Sequence, residues 1–151
     1  MRIFTRKVYL RGLIEISNIC RKNCLYCGIR CGNCTVQRYE LSDEQILQEA
    51  QFALDAGYGS VVLQGGERTD SAYVERIARL VRQIKELRPS ESAHAPAFNQ
   101  PLGITLSLGE QSREVYKEWE LHSREYKKTL EDGTFEFRLA HECVIKSFEV
   151  I

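Results

Sequence analysis

Apolar positions along this chain change period repeatedly, from short β-branched runs to helical stripes and back. Leu13–Ser17 (LIEIS) has the β-branched, apolar character of a buried strand. Leu41-Ser42-Asp43-Glu44-Gln45 follows, where Ser42 is a good N-cap and Gln45, three residues on, completes a capping box. Ile46, Ala50, Ala53 and Leu54 then recur at helical spacing, and Gly57 is placed to stop the helix. Ser60–Gln64 (SVVLQ) predicts a second buried strand, ending in Gly65-Gly66-Glu67. A second helix is predicted over Ala72–Leu87, with Tyr73, Ile77, Leu80, Val81, Ile84 and Leu87 on one stripe and Arg and Lys opposite. Gly103–Leu108 (GITLSL) predicts a third strand. Ser112 with Val115, Tyr116 and Trp119 predicts a third helix. Strand and helix alternating three times implies an α/β fold with a parallel sheet and right-handed crossovers.

Two stretches depart from this rhythm. Residues 88–101 (RPSESAHAPAFNQP) hold all three prolines of the chain, so they are expected to form a loop, longer than the roughly 2–6 residues usual in an α/β unit. Beyond about Leu121 the pattern weakens. Lys127-Lys128-Thr129-Leu130 has helical character and Asp132-Gly133 is a turn signal. Thr134–Leu139 alternates like a strand, yet Phe135, Leu139 and Cys143 fit a helix equally well. No repeat or low-complexity tract is present.

Composition narrows the class. The 151 residues suffice for one domain with a core, and 43% hydrophobic with 28% charged residues describes a globular chain rather than a disordered one. Lys+Arg and Asp+Glu are both 21, so bulk charge gives no reason to expect nucleic acid or an anionic membrane as partner. No apolar run approaches the roughly 18–20 residues that span a bilayer. The basic N-terminus (Arg2, Arg6, Lys7, Arg11) lacks an unbroken apolar segment and a small-residue cleavage site, so no signal peptide is read. Five of the six cysteines fall between Cys20 and Cys34, and only Cys143 stands apart. Clustering of this kind favours metal ligation in a reducing cytoplasm over a stapled secreted domain.

The cysteines sit as Cys20-x3-Cys24-x2-Cys27, just past the first predicted strand. Three closely spaced thiolates suit three irons of a four-iron cluster and leave the fourth open to a substrate or cofactor. In parallel α/β sheets the carboxyl edge of the strands is where sites are built. Two alternatives stay open. Cys24/Cys27 with Cys31/Cys34 would make a small zinc knuckle. Cys31 and Cys34 extend the run by x3 and x2, and a fourth thiolate would close the iron, whereas the plainer reading is two free thiols on a loop. Tyr26 would lie beside a bound adenine, plug the cluster against water, or do both at once.

Other residues fall beside this loop. The paired glycines of Gln64-Gly65-Gly66-Glu67 permit close approach of a ligand to the backbone, and strand-end carbonyls with Gln64 and Glu67 suit an ammonium group; the plain alternative is a tight turn. Thr105 and Ser107 share one strand face. In a closed barrel that face is the lumen, though Thr and Ser on a half-polar strand need no ligand. His94, His122 and His141 show no ligand spacing. Neither a G-x-G-x-x-G fingerprint, a P-loop nor a G-x-S-x-G elbow occurs.

Cys20-x3-Cys24-x2-Cys27 with an aromatic before the third cysteine resembles the radical S-adenosylmethionine superfamily. Val8 to Arg30, with Val62-Leu-Gln-Gly-Gly-Glu67 and Ile104-Thr-Leu-Ser-Leu-Gly-Glu110, is similar to its HydE-type [FeFe]-hydrogenase maturases over about Val8–Trp119; biotin synthase and methylornithine synthase are related. The resemblance implies a partial TIM-like (βα) barrel of the radical SAM type, with about three to four βα units in a single domain over 1–151. It implies a [4Fe-4S] cluster on Cys20, Cys24 and Cys27, with S-adenosyl-L-methionine on the open iron, cleaved reductively to a 5′-deoxyadenosyl radical. Tyr26 would lie at the adenine, Gln64, Gly65, Gly66 and Glu67 near the methionine amino group, and Thr105 and Ser107 would face the cofactor. A small-molecule substrate, other hydrogenase maturation proteins and an electron donor are the implied partners. Where the family runs Ser-Gly-Glu-Asp, this chain has Gly65-Gly66-Glu67-Arg68. It also skips the fourth strand and ends where a complete barrel of roughly 200 residues or more would continue, so it reads as a truncated or internally deleted member. A cluster-binding remnant without turnover and a zinc-binding interaction module are the alternative functions.

Overall fold

The computed structural model of the chain describes residues 10–91 and 101–125. The readings on Lys127–Leu130, Asp132-Gly133, Thr134–Leu139, Cys143, His94 and His141, and on the middle of the 88–101 loop, lie outside those residues. Within them the predicted alternation holds. The elements are β1 (Arg11–Ser17), α1 (Asp43–Asp55), β2 (Ser60–Gly65), α2 (Ser71–Glu86), β3 (Gly103–Ser107) and α3 (Arg113–Glu125).

Local chemistry sets the helix ends. The Ser42 side chain accepts from the Gln45 N–H while the Gln45 side chain accepts from the Ser42 N–H, which completes the capping box of α1. The helix stops before Gly57, whose φ of 75° lies in the left-handed region. Helix α2 begins at Ser71, one residue before the predicted Ala72, because Asp70 caps it by accepting from the Tyr73 N–H at 3.0 Å. Strand β1 likewise starts two residues before Leu13, carried on by its pairing of Arg11 with Ser60 and Gly12 with Val61.

The three strands form one parallel sheet in the order β1-β2-β3. Period-two alternation divides it into two unlike faces. Ile14, Ile16, Val61, Leu63, Ile104 and Leu106 are buried in one core cluster with Ile46, Ala50 and Ala53 of α1 and Tyr73, Ile77, Leu80, Val81 and Ile84 of α2. Trp119 of α3 is fully buried in the same cluster and donates its indole N–H to the Val74 carbonyl at 3.1 Å, which ties α3 to α2. The other face carries two aligned rows, Leu13–Val62–Thr105 and Glu15–Gln64–Ser107. None of these six is buried, and Leu13 is 58% exposed. Side-chain chemistry thus separates a helix-covered apolar face from an open, mostly polar one. Among the described residues no helix is long and apolar enough to cross a membrane.

Candidate functional site

The carboxyl ends of the three strands are locked together around Cys20 and Glu67. Cys20 follows the end of β1 by three residues, and its sulfur accepts the Glu67 N–H at 3.3 Å. The Arg21 N–H in turn donates to the Glu67 carbonyl at 3.0 Å, and the Gly66 N–H to Ser17 at 3.2 Å. A Cβ at Gly66 would lie 2.2 Å from the Ile19 carbonyl oxygen and 2.7 Å from the Cys20 Cβ. The close approach that this glycine allows is therefore made by the cysteine loop itself.

Glu67 is 7% exposed. Its carboxylate accepts the Glu110 N–H at 3.0 Å and pairs with Arg21 at 3.4 Å and Lys22 at 3.5 Å. Glu67, and after it Glu110, push the Lys22 ammonium pKa up. Gly109 packs against the Glu67 side chain at a φ of 78°, where a Cβ would come 2.4 Å from that of Glu67. One buried carboxylate so joins the loops after β1, β2 and β3. Its oxygens are engaged by two cations and a backbone N–H of the protein itself.

Beyond Cys20 the chain runs through tight turns. The Cys27 N–H donates to Cys24, Arg30 to Cys27 and Asn33 to Arg30. Cys20 and Cys27 are half-buried, and Cys24, Cys31 and Cys34 are exposed; none of these five is in a disulfide. Tyr26 is 93% exposed and Leu25 86%. Gln64, Thr105 and Ser107 lie on the open sheet face, with Gln64 and Ser107 in one row. Gly65 faces Ile16 and Leu108, each 3.3 Å from where its Cβ would be.

No three His, Cys, Asp or Glu side chains among the described residues converge closely enough to hold a single metal ion. A four-iron cluster instead takes one thiolate per iron and keeps its cysteines apart. The donor set fits such a group: three accessible thiols at the sheet's carboxyl edge, the first of them already accepting an N–H.

Arg68, which stands where an acid was expected, points away from this site. It forms a two-point pair with Asp70 at 3.0 and 3.2 Å, reaches Glu40 at 2.8 Å and stacks over the Tyr73 ring at 4.7 Å. Arg68, Glu40 and Tyr73, with Gln45 and Arg76, line a separate cavity of about 410 Å³ between the N-termini of α1 and α2. Sequence reasoning also missed Asn18 and Arg38, which close the cysteine loop at its neck. Their signal lies only in being polar residues flanking a run of cysteines.

The family assignment agrees with this geometry. The Radical SAM superfamily matches residues 14–120, and the chain belongs to it. Among individual proteins, it is 36% identical over 137 residues to the [FeFe] hydrogenase maturase subunit HydE of Thermotoga maritima, covering 90% of this chain and 32% of that protein. The structure of methylornithine synthase (PylB) superposes with a TM-score of 0.61 at 27% identity, covering 77% of this chain and 31% of that one. That of the maturase HydG from Carboxydothermus hydrogenoformans gives 0.62 at 20% identity over 78% and 25%, a likeness of fold. The chain spans about a third of the length of the HydE relative, and its three βα units form part of the barrel seen in these structures.

Proposed function

We propose that this chain binds a [4Fe-4S] cluster through Cys20, Cys24 and Cys27 and S-adenosyl-L-methionine beside it, as a radical SAM protein of the HydE type acting in [FeFe]-hydrogenase maturation. The observation that carries the reading is the Cys20–Glu67 junction. It places the first thiol of the triplet at the meeting point of the β1 and β2 ends, with sulfur already in a hydrogen bond. When bound, such a cluster supplies the electron that cleaves S-adenosylmethionine to a 5′-deoxyadenosyl radical. In this reading the exposed Tyr26 takes the adenine. Gln64 with the Gly65-Gly66-Glu67 backbone borders the methionine end. Thr105 and Ser107 face the cofactor from the open sheet face. Glu67 acts chiefly by holding the three strand-end loops. A small-molecule substrate, an electron donor and other maturation proteins in the cytoplasm complete the proposal.

Anaerobic reconstitution tests it. About four irons per chain are expected, with a reduced-cluster signal perturbed by S-adenosylmethionine and formation of 5′-deoxyadenosine. Iron content left intact in Cys24→Ala would sink the idea. A second reading, cluster binding without turnover, is favoured by the open face, on which Glu15, Gln64 and Ser107 are uncovered. It predicts the same iron content and signal but no 5′-deoxyadenosine.

A further inference from the structure

The cysteine loop leaves the sheet at Ser17 and returns to it at Glu40, where the two residues form an isolated antiparallel bridge. No side chain from residues 18–40 belongs to the buried hydrophobic core, so burial does not shape this excursion. Two polar side chains clasp its neck instead. Asn18 is 8% exposed. It donates through Nδ2 to the Gln37 carbonyl and accepts at Oδ1 from the Tyr39 N–H, both at 2.8 Å. Arg38 reaches back across the loop. Its Nη1 donates to the carbonyls of Asn18 at 2.7 Å and Ile29 at 2.8 Å, and its Nη2 to those of Arg30 at 2.7 Å and Asn33 at 3.2 Å.

Four carbonyl oxygens from three parts of the loop therefore converge on one guanidinium. Carbonyls gathered this way repel one another unless a cation with several donors stands between them. Arginine offers five N–H groups in a rigid plane, whereas lysine offers three from one atom and cannot span the same set. Asn18 precedes Cys20 by two residues; Ile29 and Arg30 follow Cys27 by two and three. The guanidinium thus fastens both flanks of the thiol triplet without touching a thiol.

We propose that Arg38, with Asn18, is the positioning residue that orders the cysteine loop around Cys20, Cys24 and Cys27 before any cluster binds. Its value for cluster capture rests on the proposed function; the loop order itself does not.

Hydrogen exchange on the cluster-free protein decides the point, comparing the natural chain with Arg38→Ala and Arg38→Lys. The amides of Cys27, Arg30, Cys31 and Asn33 are hydrogen-bonded within the loop. In Arg38→Ala they should exchange about tenfold faster or more, corresponding to roughly 1.4 kcal/mol, while amides of α2 keep their protection. Millimolar guanidinium should restore much of the loss in Arg38→Ala and leave the natural chain unchanged, and Arg38→Lys should fall between. After anaerobic reconstitution, iron release to a chelator should follow the same order. Natural exchange rates in Arg38→Ala, collapse of α2 protection along with the loop, or indifference to guanidinium would each overturn the proposal. If the natural chain takes up no cluster but the exchange pattern holds, the cluster reading falls and the loop-ordering role stands.

Discussion

The helix-covered sheet face and the cysteine loop lie end to end on the same strands, yet opposite forces hold them. On the sheet face, interdigitated Ile, Leu, Val, Tyr and Trp side chains are removed from water, and polar groups intervene at few points. In the loop the apolar residues are the exposed ones, Leu25 and Tyr26 above all, and order comes from hydrogen bonds made to backbone carbonyls. Burial is non-directional and tolerates similar shapes; a converging set of carbonyls needs one particular donor geometry. The scaffold should therefore absorb conservative change more readily than the loop does, although the loop contributes far less to global stability.

That contrast can be broken or sharpened in order of expected effect. Trp119→Ala removes the largest fully buried side chain and the N–H donated to Val74; it should cost about 3–5 kcal/mol in urea unfolding, and a cost under about 1 kcal/mol would show that α3 is not part of the cooperative core. Asn18→Ala should instead act locally. It strands the Tyr39 N–H and the Gln37 carbonyl, raising loop opening by about 1–3 kcal/mol with little change in the urea midpoint. A large midpoint shift would merge the two regions into one cooperative unit. Tyr73→Phe tests the core's weak point, since the buried Tyr73 hydroxyl has no hydrogen-bond partner among the described residues. Removing it should stabilise the protein by up to about 1–2 kcal/mol at neutral pH.

The same tyrosine sets an alkaline limit. Burial pushes its pKa from 10.0 up to about 12. The folded-state value lies above the unfolded one, so this contribution is complete below pH 10.0 and is lost as pH rises towards 12, at about 1.4 kcal/mol per pH unit. Tyr73→Phe should flatten that part of the stability curve. On the acid side the sign reverses. Hydrogen bonds from Arg68 lead the effects that hold the Asp70 carboxyl below 3.8. Its stabilisation is present above that value and fades as pH falls through the folded-state pKa, so Asp70→Asn should give the smallest effect of all, a shallower acid limb.

Legibility in the sequence follows the same division. The capping box at Ser42 and Gln45, the stripe from Tyr73 to Ile84 and the three strands could be read because their determinants sit within one period of the element they build. The cysteine triplet was readable because the spacing of like ligands is itself the signal. Asn18 and Arg38 were not, since their partners are backbone carbonyls and an N–H, groups that nearly every residue carries, 5 to 21 positions away. Glu67 stands out in the sequence by its place beside two glycines. Its distribution among Arg21, Lys22 and the Glu110 N–H depends on three loops meeting, which no single segment encodes. Arg68 looked like a charge reversal within the site because its outlet, the pairing with Asp70 and Glu40, lies on the helix side of the strand ends.

The contact beneath Gly66 also bears on how such sites can be rebuilt. With only 2.2 Å between an added Cβ and the Ile19 oxygen, the turn after β2 and the start of the cysteine loop fit like tongue and groove. A designer transplanting the cysteine run into another parallel sheet would have to carry the Gly65–Glu67 turn with it, because the graftable piece is a two-strand cassette rather than a peptide. Conversely, exchanging the turn alone for one bearing a side chain at this position should displace Cys20 even where all three thiols are retained.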